Sequence, residues 1–162
     1  MAVHIKNTVP DHPSSVVVLK YGISILINTL STIFITLFIS SLLGTTIDAL
    51  IAMISFAFLR QLTGGIHIKS SGLCIVVSSA MLILIPLLQV DSKFIIPMSI
   101  VSIVLIILYA PSRVERQTRI PKEKYYLLRI AGVLLIVINL FLSSTIVAIS
   151  FCIQSLTLIG RR

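Results

Sequence analysis

Charged residues are scarce in this chain. They make up 11% of its 162 residues, against 57% hydrophobic ones, where soluble domains carry about 25% charge. That shortage, with a mean hydropathy of +1.12, excludes an ordinary soluble domain and identifies an integral membrane protein. Acidic residues are scarcer still: five Asp and Glu stand against 13 Lys and Arg, for a net charge of +8. Such an excess admits nucleic acid, anionic lipid or an acidic protein partner. Basic residues beside apolar spans are expected on the cytoplasmic face of a membrane, so nucleic acid is set aside, while membrane lipid and an acidic peptide are kept.

Cysteine is nearly absent as well. Cys74 and Cys152 form no Cys-x-x-Cys pair, and both fall at or within apolar runs, where a free thiol packs as a small hydrophobe. No structural disulfide is expected. A metal site needs three or four ligands, and His67 and Cys74 have no third ligand type nearby, so no metal and no cofactor is expected. The first twenty residues carry Lys6, Asp11, Lys20 and two prolines, unlike the basic, apolar and small-residue order of a cleaved signal. Insertion is therefore expected through the first apolar helix. No repeat or low-complexity tract marks off a second unit, and residues 1–162 read as one membrane-embedded domain behind a polar segment, 1–20.

The fold class is all-α, a polytopic helical protein with five to six membrane segments, some short or re-entrant. Tyr21–Leu43 is the clearest, its 23 residues reaching about 34 Å, enough for a hydrocarbon core of about 30 Å. Ile47–Leu59 has only 13 residues and carries Asp48 near its start, so it reads as a short crossing or a re-entrant element. Leu73–Val90, ending near Pro86, and Phe94–Ala110, with Pro97 in its first turn, read as a helical hairpin joined by Asp91-Ser92-Lys93. Ile130–Ile159 is too long for one simple crossing and short for two. The terminal Arg161-Arg162 favours two short helices, while the lack of Gly or Pro near Ser143-Ser144 favours one; two is the preferred reading.

Residues 111–129 form a basic loop. Arg113, Arg116, Arg119, Lys122, Lys124 and Arg129 against Glu115 and Glu123 make six minus two, +4, which places this loop in the cytoplasm. Counting crossings back puts Arg60 and Lys69, and then the N-terminus, on the same side.

One polar stretch interrupts the apolar pattern, a loop at 60–72 holding Arg60, Gly64-Gly65 and His67, with Cys74 just beyond. Cysteine attacks as thiolate, and a neighbouring histidine is the usual base that makes one. On a continuous helix, His67 and Cys74 would stand about 10 Å apart along the axis, so the chain must bend between them, and Ser70-Ser71-Gly72 has turn-forming residues. Cys74 would then occupy the first turn of the next helix, where unpaired N–H groups favour an anion and can serve as an oxyanion hole. Gly64 and Gly65 allow close backbone approach or present N–H groups. Arg60 can hold a substrate carboxylate or carbonyl, or reach lipid phosphate. No third residue to orient His67 stands out; Gln61, Ser70 and Asp48 are the candidates. A transporter or channel using Asp48 and a basic vestibule is the alternative from another class.

Arg60-x4-Gly65-x-His67-x6-Cys74 on a small basic polytopic chain resembles the accessory gene regulator protein B family, membrane peptidases that process quorum-sensing propeptides. Lys20-Tyr21-Gly22 before the first span, Tyr109-Ala110-Pro111 after the fourth, and Ile120-Pro121 in the basic loop extend the resemblance over most of the chain. It implies a bacterial, multi-pass cysteine endopeptidase with Cys74 as nucleophile and His67 as base. The enzyme would cut a propeptide on the C-terminal side of its signal segment, and a substrate Cys or Ser would then take the acyl group into a cyclic thiolactone or lactone. Family substrates have an amphipathic leader and an acidic tail, for which Arg113, Arg116, Arg119, Lys122 and Lys124 offer a dock. The basic loop is more cationic than expected of the family, and homodimerisation stays open.

Overall fold

In lipid a chain must satisfy its own backbone polar groups, and for apolar runs of this length the helix does so within each segment. The computed structural model describes residues 15–66, 70–112 and 122–159. Among them are six α-helices and no strand: α1 (Val16–Leu42), α2 (Thr46–Thr63), α3 (Ser71–Leu87), α4 (Ile95–Tyr109), α5 (Tyr125–Leu142) and α6 (Thr145–Leu156). Four are long and apolar enough to cross a membrane: α1, α2, α4 taken with the short turn Ser92–Phe94 before it, and α5. The apolar helices α3 and α6 are shorter. The protein is an all-α, multi-pass membrane protein.

α2 corrects the shorter segment expected between Ile47 and Leu59. It starts one residue earlier and continues four residues further, through Arg60 to Thr63, because the guanidinium finds partners within the protein. The 60–72 loop shrinks accordingly: α2 occupies its first four residues and α3 its last two. Asp48 lies in the first turn of α2, where the helix dipole favours a carboxylate. It is therefore at the far end of α2 from Arg60, about 18 Å away along the axis.

The long C-terminal run is two helices, as preferred, without Gly or Pro at the break. Ser143 takes a left-handed conformation (φ 52°) and its N–H donates to Asn139 O at 2.8 Å. Buried Asn139 donates from Nδ2 to Ser144 O at 3.1 Å, and the Ser144 hydroxyl accepts from Val147 N at 3.4 Å, capping α6. Side chains thus take over carbonyls and N–H groups that a helix break leaves open.

The hairpin of α3 and α4 is a correction. The Asp91–Lys93 turn forms, with an ion pair of 2.7 Å, but the two helices pack chiefly on other partners: α3 lies on α1 and α2, α4 on α6 and α5. α6 is central, contacting α2, α3, α4 and α5. One core cluster joins Leu59, Ile106, Ile136, Phe151 and Leu158 of α2, α4, α5 and the α6 end; another joins Ala52, Phe56, Leu82, Ile85 and Ile149 of α2, α3 and α6. Ser102, Ser150 and Ser155 bond back to the carbonyl four residues earlier, on Met98, Ile146 and Phe151, so these three hydroxyls are satisfied without water.

Candidate active site

The ends of α2, α4 and α6 meet at one end of the bundle, and the stretch leading to His67 is held between them. α2 ends at Thr63, and Gly64 and Gly65 follow with φ of 73° and 139°, conformations open to glycine. The Gly64 N–H donates to Arg60 O at 2.8 Å and the Gly65 N–H to Ser112 O at 3.2 Å. Ser112 N in turn donates to Thr63 O at 2.9 Å. Both glycine N–H groups therefore have protein acceptors, and the pair serves the path of the chain. At Gly65 a Cβ would lie 2.7 Å from Thr157 Oγ1, so the close approach of the α6 end requires glycine there.

Gln154 of α6 organises this junction. It is 0% exposed. Its Nε2 donates to Gly64 O at 2.7 Å and to Thr63 Oγ1 at 3.3 Å, while its Oε1 accepts from Arg60 Nη1 at 3.4 Å and Thr157 Oγ1 at 3.3 Å. A buried amide with both ends engaged is a strong positional constraint, since losing either partner leaves a desolvated polar group.

Arg60 completes the grip. Its Nη2 donates to Ile66 O at 2.7 Å, and its guanidinium stacks 5.9 Å from the Phe56 ring centroid, a favourable cation–π distance. Ile66 N–H donates to Thr157 O at 3.2 Å. The residue immediately before His67 is thus fixed at both its N–H and its carbonyl. The structure gives Arg60 a loop-positioning contact in place of a free cationic headgroup. His67 itself lies outside the described residues, as do Arg113, Arg116, Arg119 and the side chain of Lys122; Lys124 is exposed before α5. Arg129 is engaged in the protein, donating from Nε and Nη2 to Ala110 O at 3.0 and 2.7 Å.

The chain does bend between Arg60 and Cys74. Ser70, the first of the three residues expected to turn the chain, is extended (φ −84°, ψ 120°) and precedes α3 as its N-cap residue, whereas Ser71 and Gly72 are already helical. Gly72 needs no special backbone, and a Cβ there would meet nothing within 4 Å. Cys74, half-buried, is the fourth residue of α3, and its N–H donates to Ser70 O at 3.0 Å. The N–H groups of Ser71, Gly72 and Leu73 precede this first intrahelical bond.

Two anchors escape sequence reasoning. Gln154 reads only as a polar interruption, because its partners lie about ninety residues away in the chain. Asn28 of α1 accepts a hydrogen bond from Ser71 Oγ, and Ser24 Oγ lies 3.5 Å from the same hydroxyl. A signal for Asn28 exists: Ser24, Asn28, Thr32, Thr36 and Ser40 recur every fourth residue, a polar stripe along one helix face. Gln61 is exposed, Ser70 caps α3 and Asp48 is at the other end.

The model of the family described as Accessory gene regulator B matches residues 1–159. Accessory gene regulator protein B of Staphylococcus aureus strain JH9 is 25% identical over 150 residues, covering 86% of this chain and 80% of that protein. The protein of the same name from Staphylococcus lugdunensis is 25% identical over 151 residues, covering 87% and 80%. That of S. aureus strain MW2 is 26% identical over 150 residues, covering 86% and 80%. No solved structure matches the chain.

Proposed function

The chain belongs to the accessory gene regulator B family, and from that premise we propose that it is a membrane cysteine endopeptidase acting on a quorum-sensing propeptide. The observation that carries the reading is the interrupted helix between Arg60 and Cys74, with the peptide before His67 fixed on one side and Cys74 near the start of a new helix on the other. Segments arranged so allow a base and a nucleophile to converge, which a straight helix would forbid.

His67 takes the Cys74 proton, and the thiolate attacks the carbonyl at the C-terminal side of the signal segment. The carbonyl electron pair moves to oxygen. Collapse breaks the C–N bond, and the imidazolium returns its proton to the leaving amine, which departs with the acidic tail. A substrate Cys or Ser then attacks the Cys74 thioester, its proton passing to His67 and on to the restored thiol. The product is a cyclic thiolactone or lactone, and no water is consumed. Arg60 positions the His67 peptide, and N–H groups at the start of α3 favour the anionic states.

Lys20 at the start of α1 and the basic loop favour a cytoplasmic location for this end of the bundle, where a newly made propeptide is available. Arg113, Arg116, Arg119, Lys122 and Lys124 serve as an electrostatic dock for its acidic tail. The test is co-expression with a propeptide encoded beside the gene, with products read by mass spectrometry. Wild type should release the cyclic peptide and form a hydroxylamine-sensitive acyl-enzyme, and Cys74→Ala should do neither while inserting normally. Full processing by Cys74→Ala would end the peptidase reading.

A further inference from the structure

We propose that Asn28 is an additional catalytic residue, a side-chain donor to the oxyanion formed at Cys74, supplied by α1 from outside the catalytic loop. The proposal rests on the peptidase reading above. α1 is largely exposed on its apolar faces: Ile27 beside Asn28 is 50% exposed, yet Asn28 itself is 8% exposed. It is therefore turned inward, toward α3, where its Oδ1 accepts from Ser71 Oγ. Asn28 stands eight residues beyond Lys20, about 12 Å deeper along the helix, at a depth where an unpaired amide is costly. Its Nδ2 donates to no acceptor among the described residues.

The start of α3 explains what that amide can face. Ser71 is the first residue of α3 and Cys74 lies three residues on. Helical Cα–Cβ bonds tilt toward the N-terminus, so the Cys74 side chain leans back over the turn that begins at Ser71. The N–H groups of Gly72 and Leu73 precede the first intrahelical donor, Cys74 N–H, and the space at Gly72 is open. A carbonyl carbon bonded to the sulfur would place its oxygen among the Asn28 amide and these N–H groups. When thiolate adds, the carbonyl electron pair moves onto that oxygen; Asn28 donates a hydrogen bond to it and no proton is transferred. The same donor serves when the substrate's own Cys or Ser attacks the thioester.

Removing one oxyanion donor typically lowers kcat by about 10²–10³-fold. Asn28→Ala should show a loss of that order, with KM for the propeptide and the iodoacetamide alkylation rate of Cys74 both within about twofold of wild type. Ser71→Ala, which removes the hydroxyl held by Oδ1 and leaves the donor, should lose roughly tenfold or less. If Asn28→Ala fails to accumulate in the membrane, Asn28→Asp decides the matter. It keeps an oxygen for Ser71 and lacks the amide donor, so kcat should fall at least as far. The proposal is overturned if Asn28→Ala or Asn28→Asp retains near-wild-type kcat, if alkylation is lost along with turnover, or if Ser71→Ala is equally damaging, the last two marking a tether between α1 and α3. Failure of the peptidase reading is separate, since it appears as processing by Cys74→Ala.

Discussion

The two flanks of the candidate site are built differently. The His67 flank is gripped by the core: Gly64 O, Gly65 N–H, Ile66 N–H and Ile66 O each have a partner, drawn from Gln154, Ser112, Thr157 and Arg60. The Cys74 flank opens α3, and its described side-chain contacts run to Asn28 and Ser24 of the lipid-exposed helix α1. In the proposed reaction, the base follows a peptide locked to buried α6, while the proposed nucleophile sits on a helix held by the largely exposed α1. On the proposed mechanism, such a division fixes the path to the acid–base group and leaves the acyl-forming side beside α1, within reach of the membrane-bound leader proposed for the substrate.

The largest effect should come from the two residues of the proposed dyad. Cys74→Ala and His67→Ala should each lower cyclic peptide formation by about a thousandfold or more, and the double variant should be no worse than either single one, as for residues that act as a unit. Additive losses in that double variant would contradict a shared step. Next comes the grip on the His67 flank. Gly65→Ala forces a side chain onto a φ of 139° and to within 2.7 Å of Thr157 Oγ1, a backbone cost of about 1–3 kcal/mol before any clash. Turnover should drop at least tenfold, with a lower unfolding temperature in detergent. Adding Thr157→Ala should relieve the contact without restoring the backbone, so full rescue would argue that conformation is not the constraint.

Why some of this was legible and some was not follows from the range of the interactions. Helices and the polar cassette are local patterns, and the apolar runs locate the helices because lipid leaves a backbone few choices, although α1 and α5 each begin five residues before the expected Tyr21 and Ile130, at Val16 and Tyr125. Arg60 misleads because a charge normally marks the end of a span; α2 continues past it once the guanidinium finds Ile66 O, the Phe56 ring and Gln154. The α5–α6 break, expected from the length of the run and the terminal arginines, has no Gly or Pro to mark it and rests on Asn139 and two serines. Asn28 and Gln154 sit in apolar helices far along the chain from the residues they hold, and only the fold brings them there. Their polarity in such surroundings was a visible cue, but their partners were not.

Gln154→Leu tests the His67 flank more gently. It removes the donor to Gly64 O and the acceptor for Arg60, which leaves buried groups unpaired at about 1–3 kcal/mol. Melting temperature should fall, and kcat should fall roughly tenfold while Cys74 alkylation, governed by the other flank, stays close to wild type. Equal loss of alkylation would erase the distinction between the flanks.

The smallest effect belongs to the arginines of the basic loop. Arg116→Gln with Arg119→Gln should raise the propeptide KM by about threefold to tenfold at low salt and leave kcat unchanged, because charges outside the reacting groups steer and hold an acidic tail without entering the chemistry. The difference should shrink above about 0.3 M salt, where the Debye length falls well below the roughly 10 Å it has at 0.1 M. A substrate lacking its acidic tail supplies the control: its KM should be the same for wild type and variant at every ionic strength. Unchanged KM for the full propeptide at low salt would remove the docking role from the loop and leave its charges to topology alone.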